Sequence, residues 1–340
     1  MDRHESLLQR FARRLVDLGR NRPAAPRHPQ RTRRTREVRG IATYSHPVLI
    51  YNPVAGKLRR RPEFILQRTR AALARSGLTP ELVPTAGPNQ AGDLARQAVG
   101  EGADLVLILG GDGTINEAAT GMMHTGVPMG ILPGGTANVL ARELGLGLHL
   151  EQAAERLGSC RPVSIAVGRV TGAAVSSRCF LAMCGAGLDA QIVMEVNDSL
   201  KSATGKFAFW AAGLMHLGHW IPAVQVEVNG ETFSCGFVLI SRVRNYGGNL
   251  TIASGASLLH DDFEVVLFEG SHPFRYASYL CGVAVQRVQK LRGVHTRRAK
   301  RVDIRSASPV QIDGEFLSCE AVTVEILPDA LQLLIPASYR

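Results

Sequence analysis

Three glycine-rich loops in the sequence carry residue types that bind phosphate. They are Asn52-Pro53-Val54-Ala55-Gly56-Lys57, Gly110-Gly111-Asp112-Gly113-Thr114 and Pro133-Gly134-Gly135-Thr136-Ala137-Asn138. In such loops backbone N–H groups close around an anion, the N-terminus of a following helix adds partial positive charge, and threonine hydroxyls donate to phosphate oxygens. One loop of this kind is more often only a tight turn between a strand and a helix. Three at one edge of a sheet favour a polyphosphate ligand.

Asp112 lies inside the second loop, where a carboxylate would repel a bare triphosphate. Its presence is accounted for if Mg²⁺ or a basic group lies between the carboxylate and the phosphates. Neither a Gly-Lys-Ser/Thr sequence nor a GxGxxG fingerprint occurs in the three loops. Both a P-loop NTPase and an ordinary dehydrogenase are therefore disfavoured.

A parallel sheet is needed to position these loops. Short aliphatic runs at 48–51, 81–85, 104–109 and 127–132 alternate with helix-like stretches at 62–75, at 90–99, from near Asn116, and through Arg142. Strand, loop and helix repeated four times predict a doubly wound α/β domain with helices on both faces of a parallel sheet. The loops after the strand C-termini then gather at the edge where ligands bind.

The second half of the chain has a different hydrophobic pattern. After about Gly158, runs that alternate with period two predict a mostly antiparallel β domain, with Asn229-Gly230 as a hairpin turn and helices near 197–219 and 273–291. We therefore expect a basic, flexible extension at 1–45, a nucleotide-binding α/β domain at 46–160 and a β-rich substrate domain at 161–327. A C-terminal strand within 328–338 is expected to return to the first domain.

Composition limits the class of protein. The chain has 340 residues, of which 45% are hydrophobic and 20% charged, which excludes a disordered or fibrous protein. Residues 1–46 hold 12 Arg, no Lys and four acidic residues, whereas the other 294 residues hold 27 basic and 25 acidic ones. The net charge of +10 therefore belongs mainly to the extension.

The six cysteines predict reduced thiols, and the Arg-rich start does not read as a secretory signal, so a cytoplasmic protein is expected.

Five motifs, in their order and approximate spacing, resemble those of the diacylglycerol kinase-like lipid kinases. They are NPVAG, GGDGTINE (110–117), LPGGTAN followed by LAR, GAGLDA (185–190) and QIDGE (311–315). The resemblance covers roughly residues 46–338. That family includes diacylglycerol, phosphatidylglycerol, sphingosine and ceramide kinases, and its fold is related to NAD kinase and phosphofructokinase.

The resemblance implies that ATP binds between the two domains. The implied nucleotide-binding residues are Asn52, Pro53, Ala55, Gly56, Thr85, Gly110, Gly111, Asp112, Gly113, Thr114, Asn116, Glu117, Gly135, Thr136 and Asn138. It also implies a catalytic acid at Asp313 or Glu315, because an alcohol that attacks the γ-phosphate must lose its proton to a nearby base. We favour Asp313 as the base, with Glu315 supporting it or exchanging roles. The alternative is that Asp313-Gly314 is merely a hairpin turn.

The implied metal is Mg²⁺, with Asp112 as a candidate ligand. Bacterial diacylglycerol kinases hold a structural Mg²⁺ in the segment after Tyr-Gly-Gly, with a Lys and then an Asp-Gly. Here Thr251 stands where the Lys is expected and His260-Asp261-Asp262 where the Asp-Gly would be. Asp261 and Asp262 are therefore the candidates for that second site. A further departure is Val139, which follows Asn138 where many relatives have Asp.

Three other features have both a functional and a plain explanation. His216 and His219 are three residues apart and could share a ligand, although packing or surface exposure explains them better. Phe207, Phe209, Trp210, Leu214 and Leu217 could line an acyl-chain cleft or pack in a core. Residues 275–301 hold eight Arg or Lys and no acid, which predicts either a solvated face or a surface on anionic lipid.

The sequence therefore predicts an ATP- and Mg²⁺-dependent kinase that phosphorylates a hydroxyl of a membrane lipid, with diacylglycerol first and sphingosine or ceramide next. Its partners would be ATP, the lipid and the surface of an anionic membrane; nucleic acid is not favoured, and a homodimer is left open. Two other functions remain: an NAD kinase-like enzyme with a soluble acceptor, and a non-enzymatic protein that binds nucleotide or, through its Arg-rich arm, nucleic acid.

Overall fold

A computed structural model describes residues 43–195, 221–247 and 250–340 of the chain. Most of the predicted extension at 1–45 lies outside these residues, as do His216, His219 and the aromatic stretch from Phe207 to Leu217. The helices are α1 (Pro62–Arg75), α2 (Ala91–Gly100), α3 (Asp112–Met122), α4 (Val139–Glu143), α5 (Leu150–Leu157), α6 (Leu188–Glu195) and α7 (Pro273–Ala284), with a 3₁₀ turn at Val288–Lys290.

Seventeen strands are described. They are β1 (Pro47–Tyr51), β2 (Glu81–Pro84), β3 (Leu105–Gly110), β4 (Met129–Pro133), β5 (Cys160–Gly172), β6 (Arg178–Phe180), β7 (Met183–Gly187), β8 (Val224–Val228), β9 (Glu231–Ser241), β10 (Asn245–Gly247), β11 (Leu250–Thr251), β12 (Phe263–Glu269), β13 (Val294–Ala299), β14 (Arg301–Ile304), β15 (Val310–Ile312), β16 (Glu315–Ser318) and β17 (Val322–Pro336).

The first half is built on a parallel sheet in the order β2-β1-β3-β4. Every residue of β3 is buried, as expected for a central parallel strand that helices cover on both faces. The helices follow their apolar residues: α5 buries Leu150, Ala153, Ala154 and Leu157, which lie on one face at helical spacing. The three glycine loops leave the C-terminal ends of β1, β3 and β4, so they meet at one edge of the sheet.

The second half is antiparallel, in the order β16-β15-β7-β9-β8-β14-β17, with β12 and β13 added beside β9. It has a core of its own, in which the rings of Phe180 and Phe263 stack at 5.8 Å between centroids. The hairpin predicted at Asn229-Gly230 joins β8 to β9, and both residues have positive φ. The parallel and antiparallel halves together confirm the predicted fold class.

Two long strands join the halves. β5 and β17 pair with each other along nearly their whole length, and β17 also lies parallel to β4, with Leu333 opposite Met129. The two sheets are therefore continuous through β17. The domain boundary near residue 160 stays a prediction, because β5 begins there and no break in the sheet marks it.

Local secondary structure differs from the sequence prediction at four points. The helix expected near 273–291 ends at Ala284 and is followed by the 3₁₀ turn Val288–Lys290. The helix after the second glycine loop begins at Asp112 rather than near Asn116, because Gly111 is extended and an acid suits the first turn of a helix. The run at 180–184 is divided into β6 and β7 by a bend whose N–H groups bond to a side chain described below. The runs at 322–327 and 331–336 form one strand with an irregularity at Asp329, where φ is positive.

The helices in the described residues are too short or too polar to cross a lipid bilayer.

Candidate active site

The second and third glycine loops contact each other through their backbones. The N–H groups of Gly134 and Gly135 both donate to the Gly110 carbonyl, at 2.8 and 3.1 Å. A Cβ added to Gly135 would lie 2.6 Å from the Gly111 Cα, so any side chain there would force the loops apart. The glycines are therefore needed for this contact at the edge of the sheet.

The first loop is tied to the other two by Asn52 and Lys57. Asn52 Oδ1 accepts from Val54 N at 3.0 Å and its Nδ2 donates to Thr114 Oγ1 at 3.4 Å. The Lys57 ammonium donates to the carbonyls of Pro133 and Leu148. Burial lowers the pKa of Lys57. Lys57 thus holds the loops together, a role that sequence reasoning missed although the residue follows the NPVAG motif directly.

Asp112 and Asn138 shape the third loop from inside. Asp112 Oδ1 accepts from Val139 N, 2.7 Å away, at the start of α4. Asn138 is buried, has positive φ, and bonds Gly135 twice, through Oδ1 to its N–H and through Nδ2 to its carbonyl. Asn138 therefore determines the shape of the loop, whereas Thr136, two residues before it, is exposed.

The remaining candidates for nucleotide binding differ in their surroundings. Asn116 Nδ2 donates to the Cys179 carbonyl at 3.1 Å, across to the second half of the chain. Glu117 Oε2 accepts from Ala91 N at 3.2 Å, at the start of α2. Thr85 is buried, and its N–H donates to the Tyr51 carbonyl. Glu117 and Thr85 therefore have structural contacts: Glu117 binds the start of α2, and Thr85 binds the end of β1.

The QIDGE segment is a hairpin turn and also an ordered carboxylate site. Asp313 and Gly314 both have positive φ and form the two-residue turn between β15 and β16. The Asp313 carboxylate accepts three backbone hydrogen bonds of 2.9 Å, from Leu181 N to Oδ2 and from Ala182 N and Met183 N to Oδ1. These are the N–H groups of the bend between β6 and β7. Both explanations offered by the sequence are therefore compatible.

Electrostatics favour a proton acceptor at Asp313. Burial raises the pKa of its carboxyl group to about 6, against the opposing effect of the three N–H donors, and the nearby charge of Asp112 raises the pKa further. A carboxylate has about four lone-pair positions, so three bonds leave one position on Oδ2. The carboxylate is held in place and still has room for one more hydrogen bond.

Glu315 brings the hairpin to the glycine loops. A Cβ added to Gly113 would lie 2.8 Å from Glu315 Oε1, so the Glu315 carboxylate rests against the first turn of α3. Arg178, at the start of β6, is 4.0 Å from the other Glu315 oxygen, and both side chains are largely exposed. Asp112, Asp313 and Glu315 thus converge where the two halves of the chain meet. Arg178 is a second residue that sequence reasoning missed, since nothing in its local sequence marks it.

The residues at this edge suit Mg²⁺ bound to phosphate. Within the described ranges, no group of three or more His, Cys, Asp and Glu side chains has the geometry to hold a metal by itself. Mg²⁺ in kinases usually takes one or two carboxylates and completes its shell with phosphate oxygens and water. Asp112 stays the predicted carboxylate ligand: it lies beside the loops, and its Oδ1 also accepts from Val139 N.

The structural Mg²⁺ implied after Tyr-Gly-Gly does not fit. Asp262 pairs with Arg298, and its other carboxylate oxygen is 3.1 Å from Arg298 Nε. Arg242 is fully buried beside this segment. Its guanidinium donates to four backbone carbonyls, those of Ala166, Leu258, His260 and Asp262. A guanidinium thus binds backbone carbonyls of the segment that holds Asp261 and Asp262, which does not favour a second Mg²⁺ there.

The basic stretch from Arg275 to Arg301 is partly neutralised by acids from elsewhere in the chain. Arg297 pairs with Glu231 at 3.2 Å, Arg298 with Asp262, and Arg301 with Asp303 at 2.9 Å. All three partners lie outside the stretch, Asp303 only two residues beyond its end, so the stretch itself gives no sign of these pairs.

Two protein families match the chain. Residues 46–170 match the diacylglycerol kinase catalytic domain and residues 182–335 match the YegS C-terminal NAD kinase beta sandwich-like domain. A Yersinia pestis (strain Pestoides F) protein named "Probable lipid kinase YegS-like" is 31% identical over 71% of this chain and 83% of its own length. The diacylglycerol kinase of Bacillus subtilis (strain 168) is 26% identical over 79% of this chain and 89% of its own.

The fold also matches a solved structure. The crystal structure of a diacylglycerol kinase from Bacillus anthracis str. Sterne superposes with a TM-score of 0.71 at 18% identity, over 88% of this chain and all of that one. With the two carboxylates of the hairpin at the glycine loops and both family domains in order, the chain belongs to the diacylglycerol kinase-like lipid kinases, a family of phosphotransferases with an alcohol acceptor.

Proposed function

We propose that the protein uses Mg·ATP to phosphorylate a hydroxyl of a membrane lipid, and that the lipid is diacylglycerol. The observation that carries the proposal is the contact between the hairpin and the glycine loops. Glu315 contacts Gly113, and the charge of Asp112 raises the pKa of Asp313. A base beside a phosphate-binding edge is the arrangement that transfer from ATP to an alcohol needs.

In the proposed reaction Asp313 is the general base. The lipid hydroxyl donates a hydrogen bond to the remaining acceptor position on Asp313 Oδ2. As the hydroxyl oxygen forms its bond to the γ-phosphorus, the proton passes to Oδ2 and the bond to the β-phosphate oxygen breaks, which releases ADP. The three N–H donors keep the carboxylate oriented while it accepts the proton.

The glycine loops bind the triphosphate. The N-terminus of α3 and the Thr136 hydroxyl offer donors to the phosphates, and Asn52 and Lys57 keep the loops closed on one another. Mg²⁺, when bound with ATP, neutralises phosphate charge, and Asp112 would hold it. Asp261 and Asp262 have no part in this proposal.

Two observations support a lipid acceptor. Phe316 and Met194 are large apolar side chains that are 43% and 47% exposed, on β16 and α6, which pack together beside the hairpin. Apolar side chains exposed next to a catalytic turn suit an acceptor with acyl chains. The choice of diacylglycerol follows the Bacillus subtilis relative, which carries that name.

The test is phosphate transfer from γ-labelled ATP to defined acceptors. Purified protein is incubated with diacylglycerol, sphingosine or ceramide in mixed micelles, and separately with NAD, and the label is partitioned into butanol. The proposal expects label in the lipid phase with diacylglycerol as the best acceptor. Label found in phosphorylated NAD, after its separation from ATP in the aqueous phase, would replace the proposal with a nucleoside kinase, and the absence of transfer to any acceptor would overturn it.

A further inference from the structure

Asp189 is a buried acid that the proposed reaction does not use. It lies in the first turn of α6, in the GAGLDA motif, and its side chain is only 4% exposed. Burial raises the pKa of its carboxyl group to about 7. A carboxyl group removed from water costs stability unless its surroundings compensate, so the contacts of Asp189 should reveal what it does.

The partner of Asp189 is Gln311, which leads to the catalytic hairpin. Gln311 Nε2 donates to Asp189 Oδ2 at 2.7 Å. Gln311 Oε1, at the other end of the same amide, accepts from Gly314 N at 2.8 Å. The Gln311 amide therefore connects a buried carboxyl group with the backbone between Asp313 and Glu315.

The direction of the Gln311 amide depends on Asp189. An amide has a donor end and an acceptor end; Asp189 Oδ2 receives the donor end in the structure, and the ionised carboxylate can receive no other. This fixes the oxygen toward Gly314 N, where a flipped amide would set an N–H against an N–H. Asp189 thereby favours the single amide orientation that holds the turn.

The pair of Asp189 and Gln311 requires a glycine beside it and leaves one buried carboxylate oxygen unsatisfied among the described residues. A Cβ added to Gly185 would lie 2.1 Å from Asp189 Oδ2 and 2.7 Å from Gln311 Nε2, so the first glycine of GAGLDA is required. Asp189 Oδ1 is buried and has no hydrogen-bond partner among the residues that the structure describes. Replacing both members of a buried polar pair by apolar residues is often neutral or stabilising. Stability alone therefore does not account for the pair.

We propose that Asp189 is a positioning residue: by orienting the Gln311 amide it holds the Gly314 N–H and so fixes where Asp313 and Glu315 point. The kinetic part of this inference rests on the proposed lipid kinase reaction, whereas the structural part does not. Asp189 does not touch the reacting atoms.

The experiment compares Asp189→Ala, which removes the acceptor, with Asp189→Asn, which can still present an oxygen to Gln311. Glu264→Ala is the matched control. Glu264 is 2% exposed and its Oε1 accepts from Gln289 Nε2 at 2.7 Å, so it is also a buried carboxyl group paired with a glutamine amide, but one without a link to the hairpin.

The first readout is hydrogen exchange of the Gly314 amide in ¹⁵N-labelled protein, which needs no activity. We expect Gly314 to exchange about five to ten times faster in Asp189→Ala, the size expected for one lost hydrogen bond, and to be near wild type in Asp189→Asn and Glu264→Ala. Unchanged exchange in Asp189→Ala, or equal acceleration in Glu264→Ala, would overturn the proposal.

The second readout separates kcat from KM at a temperature where all variants are folded. Asp189→Ala should lower kcat for lipid phosphorylation on the order of tenfold or more with an unchanged KM for ATP, and Asp189→Asn should restore most of it. A fall in kcat that Glu264→Ala shares would contradict a positioning role. If the wild type phosphorylates no lipid, the proposed function fails while the exchange measurement still decides the role of Asp189.

Discussion

At the scale of single residues, two features of the surroundings of Asp313 shift the pKa of its carboxyl group in opposite directions. Three N–H donors stabilise the ionised carboxylate, and burial stabilises the neutral acid. The result is a pKa of about 6, close to the pH at which an enzyme in a neutral compartment works. A general base is most effective when its pKa lies near the working pH, because it is then ionised and still basic enough to accept a proton.

The pH dependence of kcat should follow from this balance. Since burial moves the pKa upward, Asp313 becomes protonated as the pH falls through about 6, and a protonated carboxyl cannot accept the hydroxyl proton. We predict that kcat falls about tenfold for each pH unit below 6 and is level above it. A profile that stays level down to pH 4.5, with the protein still folded, would exclude Asp313 as the titrating base.

Glu315 should matter less than Asp313. Its carboxylate rests on Gly113 and is largely exposed, so it can orient the acceptor or the phosphates without being held for proton transfer. Glu315→Gln keeps the size and one acceptor oxygen, and we predict a fall in kcat on the order of tenfold. Glu320→Gln, on the loop that follows β16, is the control and should leave kcat unchanged. A larger loss in Glu315→Gln than in Asp313→Asn would exchange their roles.

At the scale of structural elements, the proposed ATP binding depends on the contact between two glycine loops. In Gly135→Ala the new Cβ would meet the Gly111 Cα at 2.6 Å, so the loops must separate. We predict that the KM for ATP rises on the order of tenfold or more. Gly100→Ala, at the end of α2 with no atom within 4 Å of the new Cβ, is the control and should leave the KM unchanged. An unaltered KM in Gly135→Ala would show that ATP does not need this contact.

The contacts of Arg242 predict that the segment after β9 is stable without a bound metal. Because its guanidinium already binds four carbonyls, the nucleotide-free protein should keep its Tm when EDTA is added. Arg242→Met should be destabilised by about 3 kcal/mol or more, since it leaves buried carbonyls without donors. A Tm that drops in EDTA and recovers with Mg²⁺ would mean that a metal holds this segment after all.

Much of the fold could be predicted from local pattern, and the limits of that prediction are physical. The parallel strands and the helix Pro62–Arg75 follow from apolar spacing, and Asn229-Gly230 from turn chemistry. The division of residues 180–184 into two strands could not be predicted, because it depends on a carboxylate 130 residues away. The same is true of the site: the glycine loops are visible in the sequence, whereas Lys57, Arg178 and Gln311 acquire their contacts only in the folded chain.

At the scale of the whole molecule, the distribution of charge bears on how the protein reaches its substrate. The described body has few unbalanced charges, and several basic residues between 275 and 301 are paired with acids. The net charge of +10 belongs mainly to residues 1–46. A run of Arg near a membrane surface contributes about 1 kcal/mol per residue with anionic lipid, and salt screens the attraction.

Removing residues 1–45 should therefore weaken membrane binding more than catalysis. We predict that the truncated protein sediments less with phosphatidylserine vesicles than the full chain, and that the difference shrinks in high salt. Phosphorylation of diacylglycerol in neutral detergent micelles should be unchanged. Equal sedimentation of the two proteins would move the membrane contact to the body, with Phe316, Met194 and the basic stretch from Arg275 to Arg301 as the next candidates.

The most direct test of the central claim is the turnover of Asp313→Asn. The amide cannot accept a proton. It also offers only one acceptor oxygen to three N–H donors, so the Tm is expected to drop. The affinity for ATP is therefore measured as well, to show that the variant is folded. We predict that ATP still binds with a Kd within about threefold of wild type, while single-turnover phosphate transfer to diacylglycerol falls at least about a hundredfold. Transfer at near the wild-type rate by a variant that binds ATP normally would contradict the assignment of Asp313 as the base.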